Sequence, residues 1–226
     1  MKAALTPRVK ICCIASVEEA ALAIEAGASA LGLVSQMPSG PGVIGDELIR
    51  EIAAAVPPSI GTFLLTSKQS VGQIVEQQRF CRTNTIQICD HLSQGTHQEL
   101  KRALPGISVV QVVHVTGTES VEEAVAASTH VDAILLDSGS RKGAVKQLGG
   151  TGRTHDWALS RTIRERINIP LFLAGGLTAE NVVQAITEVG PFALDVCSGV
   201  RTNGKLDGEK LHRFVLAVHE ATRRSG

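Results

Sequence analysis

The chain has 226 residues, 43% hydrophobic and 19% charged, a length at which one large α/β domain spanning 1–226 can hold a full core. Its 22 Lys and Arg balance 22 Asp and Glu, so no net field favours nucleic acid, and a small-molecule partner is the expectation. No apolar run approaches the roughly 18–20 residues that cross a bilayer, and Met1 to Lys10 lacks a secretory apolar core. Five cysteines without a CxxC pair argue against a disulfide framework or a structural zinc, so the expectation is a cytoplasmic protein with reduced thiols and no membrane partner.

Val-, Ile- and Leu-rich segments alternate with amphipathic stretches of helical length, the pattern of repeated βα units around a parallel sheet. The spacing predicts strands at about 8–13, 29–34, 59–65, 84–89, 107–113, 131–136, 168–173 and 192–196, each followed by a helix. Ser16 is placed to cap the first helix, Glu18 and Glu19 suit its first turn, and Gly27 ends it. Thr178 and Glu180 are expected to open the seventh helix in the same way. Eight such units in one chain of this length predict an α/β fold of the (β/α)8 TIM-barrel type rather than an open doubly wound sheet.

Strand ends are where such a barrel keeps its chemistry. Cys12 ends Val9-Lys10-Ile11-Cys12 and Asp137 ends Ala133-Ile134-Leu135-Leu136-Asp137, a thiol and a carboxyl that can act as base and acid if both reach one rim. An unperturbed thiol has a pKa of about 8.5, so the base needs a nearby positive charge, and Lys10 shares a strand face with Cys12. By the same alternation Cys13 points to the helix layer and packs there. The structural alternatives are Cys12 as a small buried apolar side chain and Asp137 as a turn residue.

Between Ser138 and His155 runs an irregular stretch with Gly139, Gly143, Gly149, Gly150 and Gly152, and with Arg141, Lys142, Lys146 and Arg153 among them. It reads as a mobile active-site loop, or more plainly as a solvated connection. Gly175 and Gly176 follow the seventh strand, and Ser198 and Gly199 the eighth. Backbone NH groups of such loops often hold phosphate, although tight turns use glycine too. No metal-ligand spacing and no GxGxxG after a first strand are present, so no metal and no cofactor are expected.

Four segments spread from residue 9 to residue 200 resemble the phosphoribosylanthranilate isomerase family. Val9-Lys10-Ile11-Cys12-Cys13-Ile14 resembles its VKICGI, Leu135-Leu136-Asp137-Ser138 its acid-bearing strand end, Gly149-Gly150-Thr151-Gly152-Arg153-Thr154-His155-Asp156-Trp157 its GGTGKTFDW, and Asp195-Val196-Cys197-Ser198-Gly199-Val200 its DVSSGV. The resemblance implies a cofactor-free barrel that carries out an Amadori rearrangement of a phosphorylated aminoribose in tryptophan biosynthesis. It assigns Cys12 as general base and Asp137 as general acid, with Lys10, Gln87 and Asp195 at the substrate and Gly175, Gly176, Ser198 and Gly199 at its phosphate.

The substituent end departs from the family. Its SPR-type segment, whose Arg binds the anthranilate carboxylate, is Pro38-Ser39-Gly40-Pro41-Gly42-Val43 here, and its VQLHG is Ile86-Gln87-Ile88-Cys89-Asp90. Arg201 stands where the family has Glu, and His155 where it has Phe. The resemblance therefore implies either an anthranilate site compensated by Arg201 or Arg153, or a diverged phosphosugar isomerase in which Asp90 repels a carboxylate. A catalytically silent phosphometabolite-binding barrel is the third reading.

Overall fold

The structure, a computed structural model, describes residues 6–139, 148, 152 and 154–224. Most of the stretch expected to be a mobile loop, with Arg141, Lys142, Lys146 and Arg153, lies outside the described residues.

Eight parallel strands close on themselves: β1 (Arg8–Ile11), β2 (Ala30–Val34), β3 (Gly61–Thr66), β4 (Thr85–Ile88), β5 (Ser108–His114), β6 (Ala133–Asp137), β7 (Leu171–Leu173) and β8 (Ala193–Val196). Lys10 lies opposite Ala30 on one side and Asp195 on the other, which is the register that shuts the barrel. All eight predicted strands are present. The seventh begins later than expected because Pro170 has no NH to give a ladder and restricts Ile169 before it, so pairing starts at Leu171.

Helices α1 (Val17–Glu25), α2 (Asp46–Ala55), α3 (Val71–Cys81), α4 (His97–Ala103), α5 (Glu119–Ser128), α6 (Trp157–Arg166), α7 (Val182–Val189) and α8 (Gly208–Arg224) follow the strands in turn. Ser16 caps α1 as expected, its Oγ accepting from the Glu19 NH at 3.2 Å, and Gly27 follows the helix with φ of +100°. The seventh helix starts later than predicted. Asn181 ties the preceding turn instead, accepting from the Thr178 NH and donating to the Gly176 carbonyl, both at 2.9 Å.

Two apolar layers result. Leu31, Leu33, Ile86, Ile134 and Leu136 face the helices, while Ala30, Phe63, Leu65, Val110, Val112, Leu135, Phe172 and Ala193 fill the lumen. Alternation along each strand produces both layers, so the lumen is packed and only its upper end is free for chemistry. No helix among the described residues is long and apolar enough to cross a membrane.

An element absent from the prediction follows β8: a 3-10 turn (Ser198–Val200), then the antiparallel strands β9 (Arg201–Thr202) and β10 (Lys205–Leu206). Asn203 and Gly204 join them at φ of +52° and +79°, the left-handed pair that a two-residue hairpin turn requires. The Asn-Gly dipeptide was the available signal.

Candidate active site

Lys10 is buried completely in the lumen. Its Nζ donates to Asp195 Oδ1 at 2.9 Å and lies 5.2 Å from the centre of the Phe63 ring. Burial works against the ammonium, but Asp195, followed by the Cys12 thiol, outweighs it and holds Lys10 above its ordinary range. Gly32 on β2 faces the same point: a Cβ there would stand 2.9 Å from Cys12 Sγ and 3.1 Å from Lys10 Nζ. Gly32 thus leaves room for both groups, a requirement not read from the sequence. A glycine inside Ala30-Leu31-Gly32-Leu33-Val34 was the clue, since strand glycines mark close approaches.

Asp137, the last residue of β6, is buried and accepts from the Ser138 NH at 2.7 Å. Burial pushes its carboxyl up to about 6, with the Ser138 NH opposing, the Asp195 charge adding and Lys10 opposing. A carboxyl so placed keeps a proton to donate where an exposed aspartate would have lost it.

These groups meet at one cleft, which Cys12, Gln87, Asp137, Asp195, Gly175, Gly176 and Ser198 all line. Val34, Met37, Leu65, Leu135 and Leu148 form its apolar side. Gln87 is 3% exposed, and its Oε1 is buried without a hydrogen-bond partner, an acceptor facing a cleft. Lys10 lies beneath the cleft rather than on its wall. Cys12 follows β1 and is fixed by its NH, which donates to the Val196 carbonyl at 2.8 Å.

Gly199 has a packing role in addition to the phosphate contact expected of it. A Cβ there would come 2.0 Å from the Leu177 carbonyl oxygen, so its missing side chain lets the loops after β7 and β8 pack together. Gly199→Ala is expected to lower Tm by several degrees as well as weakening capture of a phosphorylated ligand, because the backbone must give way. Thermal denaturation beside calorimetry with inorganic phosphate checks it; an unchanged Tm would contradict the packing role.

Three expectations from the sequence need correction. Cys13 does not pack in the helix layer: β1 ends at Ile11, so alternation stops before residue 13, and a φ of +64° turns its side chain into the cleft wall. Arg201 is not the compensating cation. Its Nη1 and Nη2 donate to the two Glu19 carboxylate oxygens, each at 3.0 Å, and the guanidinium also donates to the carbonyls of Gly204, Cys12 and Cys13. It thereby ties the hairpin after β8 to the turn after β1. Asp90 does not face the cleft; its carboxylate accepts from Gln69 Nε2 at 3.0 Å and from the His91 NH at 2.9 Å.

His155 lies in the loop before α6 and is held there. Its Nε2 lies 2.7 Å from Ser160 Oγ, its Nδ1 is buried unpaired, and burial pushes it down to about 4. A histidine with a depressed folded pKa costs stability as pH falls from about 6.5 towards 4, because the unfolded chain takes the proton first. His155→Phe should therefore narrow the gap in Tm between pH 8 and pH 5. Equal gaps in parent and variant would remove His155 from the acid response.

The model of the family N-(5'-phosphoribosyl)anthranilate (PRA) isomerase matches residues 9–217. The chain belongs to this family. It is 36% identical over 211 residues to the N-(5'-phosphoribosyl)anthranilate isomerase of Methanothrix thermoacetophila, covering 93% of this chain and 97% of that one. With the Haloferax volcanii enzyme of the same name it shares 36% over 216 residues, covering 95% and 94%. The crystal structure of phosphoribosyl anthranilate isomerase from Thermotoga maritima superposes with a TM-score of 0.78 at 32% identity, over 95% of this chain and 99% of that one. A second such structure, bound to reduced 1-(o-carboxyphenylamino)-1-deoxyribulose 5-phosphate, gives 0.76 at 30%, over 95% and 99%.

Proposed function

We propose that this barrel isomerises N-(5'-phosphoribosyl)anthranilate to 1-(o-carboxyphenylamino)-1-deoxyribulose 5-phosphate in tryptophan biosynthesis, with Asp137 as general acid and Cys12 as general base. The observation that carries the assignment is a buried Asp137 carboxyl in a cleft it shares with the Cys12 thiol, beside the buried Lys10 ammonium. Asp137 gives its proton to the furanose ring oxygen as the C1–O bond breaks, leaving an open protonated imine. Cys12, as thiolate, then takes the C2 proton to form the neutral enolamine, and protonation at C1 with loss of the C2 hydroxyl proton yields the ketose.

Lys10 works through charge. Fixed by Asp195 beneath the cleft, it sets its positive charge beside the Cys12 sulfur. Gln87 offers its unpaired carbonyl oxygen to a sugar hydroxyl, and Gly175, Gly176 and Ser198 present backbone to the phosphate. The apolar side of the cleft suits an aromatic ring. Cytoplasmic residence belongs to the same reading, since an unoxidised thiol is the working group.

No Lys or Arg among the described residues lines the cleft. Gly152 does line it, and the next residue is Arg153, which we assign to the anthranilate carboxylate in place of the second-loop Arg. The test compares kcat/KM for the anthranilate substrate and for the analogue lacking its carboxylate. The parent should prefer the carboxylated substrate and Arg153→Ala should lose about tenfold or more of that preference, the range of a charge-assisted hydrogen bond. Preference of the parent for the uncharged analogue would favour the diverged phosphosugar isomerase instead.

A further inference from the structure

Two departures from the family motifs meet in space. Cys13 occupies the Gly of VKICGI, and Cys197 the first Ser of DVSSGV. Their Sγ atoms lie 2.8 Å apart, hydrogen-bonded to each other across a sequence separation of 184 residues. We propose that Cys13 and Cys197 are a reversible dithiol–disulfide pair on the wall of the active-site cleft, and that closing the bond suppresses turnover. The effect on turnover rests on the isomerase reading above; the bond itself does not.

The geometry prepares the pair. A sulfur–sulfur bond is about 2.05 Å long, so less than an ångström of movement is needed. Cys13 sits at φ of +64°, a conformation suited to glycine and kept here by a residue with a side chain. The β2–α2 loop pins that side chain: a Cβ on Gly42 would come 2.4 Å from Cys13 Cβ, and Cys13 Sγ lies 3.6 Å from the Pro41 carbonyl. Cys13 cannot swing away from its partner. Cys197 is only partly buried, which leaves one sulfur open to a small oxidant.

Access assigns the order of events. Cys13 is buried, whereas Cys197 is only partly so and has the Arg201 charge near it. Cys197 is thus the first nucleophile. Its thiolate attacks a low-molecular-weight disulfide and expels one thiolate, giving a mixed disulfide. Cys13 then loses its proton to solvent and attacks Cys197 Sγ, expelling the second thiolate, so two protein thiols are oxidised as the small disulfide is reduced to two thiols.

Because Cys13 is pinned, the movement falls on Cys197 and the Ser198–Val200 turn beyond it. That turn already abuts the Leu177 carbonyl through Gly199 and cannot shift without disturbing the β7 loop. On the other side of the bond, Cys13 adjoins the proposed base. A displacement near 1 Å in such a site costs about 10²-fold.

The experiment titrates the full-length protein with oxidised glutathione and maps cross-linked peptides by mass spectrometry beside kcat/KM for the anthranilate substrate. The expected result is one internal link, retained in Cys12→Ala and absent in Cys13→Gly and Cys197→Ser. In the parent, kcat/KM should fall by about tenfold to a hundredfold and recover with dithiothreitol; in Cys197→Ser, which can form neither the mixed disulfide nor the link, it should hold relative to that variant's own reduced form. No link between residues 13 and 197, a link that leaves kcat/KM unchanged, or a loss that persists in Cys197→Ser would each overturn the proposal. Peptide mapping needs no turnover, so failure of the pair is distinct from failure of the isomerase reading.

Discussion

Asp137→Asn is expected to lose about 10²- to 10⁴-fold in turnover, the usual range for removing general-acid assistance, while making the protein more stable at neutral pH. Both effects have one cause. Burial raises the Asp137 pKa from 3.8 to about 6, so the native state holds this proton more tightly than the unfolded chain does. Stability from this group is complete below pH 3.8 and is lost as pH rises through about 6. The difference corresponds to roughly 3 kcal/mol at neutral pH, an upper figure because Asn also gives up the strong acceptor for the Ser138 NH. In urea denaturation the Asn variant should gain stability relative to the parent between pH 5 and pH 8, a difference set by Asp137 alone because both proteins share the opposite contribution of His155. The alkaline fall in kcat/KM, with a midpoint at or above about pH 6, should vanish in that variant. An Asn variant that turns over like the parent would assign the acid elsewhere.

Cys12→Ala should cost turnover on the same scale, about 10²- to 10⁴-fold, with little change in Tm, because only one buried sulfur atom is removed. The loss should appear in kcat more than in affinity for a non-reactive analogue, since Cys12 acts on the C2 proton rather than on the phosphate. Cys12→Ser separates charge from shape: it keeps the size while replacing a thiol with a hydroxyl too weakly acidic to serve as base. Activity close to the parent in either variant would rule out Cys12, and Gly32→Ala offers an independent check by crowding Cys12 Sγ and Lys10 Nζ at 2.9 and 3.1 Å.

The barrel was legible because each strand carries its own local signal, a short Val-, Ile- or Leu-rich run closed by turn residues. Cys12 and Asp137 were legible for the same reason, as strand-end groups whose rim is dictated by topology. What could not be read was set by contacts distant in sequence. The Lys10–Asp195 ion pair depends on the register by which β8 closes onto β1, and Arg201 finds Glu19 only through the hairpin after β8. Cys13 was misplaced because strand alternation was carried two residues past the last paired residue, where a positive φ reverses the side chain. The packing need for a glycine at 199 could not be read, because it depends on the Leu177 carbonyl that folding brings beside it.

The account stands most directly on turnover of N-(5'-phosphoribosyl)anthranilate by the purified, reduced protein in deuterium oxide, with no cofactor added. Loss of substrate followed by fluorescence, with the product examined by NMR, reads both rate and proton path. Removal of the C2 proton and reprotonation at C1 predict protein-dependent formation of 1-(o-carboxyphenylamino)-1-deoxyribulose 5-phosphate bearing solvent deuterium at C1. Conversion no faster than the protein-free background, or product whose C1 carries no solvent deuterium, would contradict it.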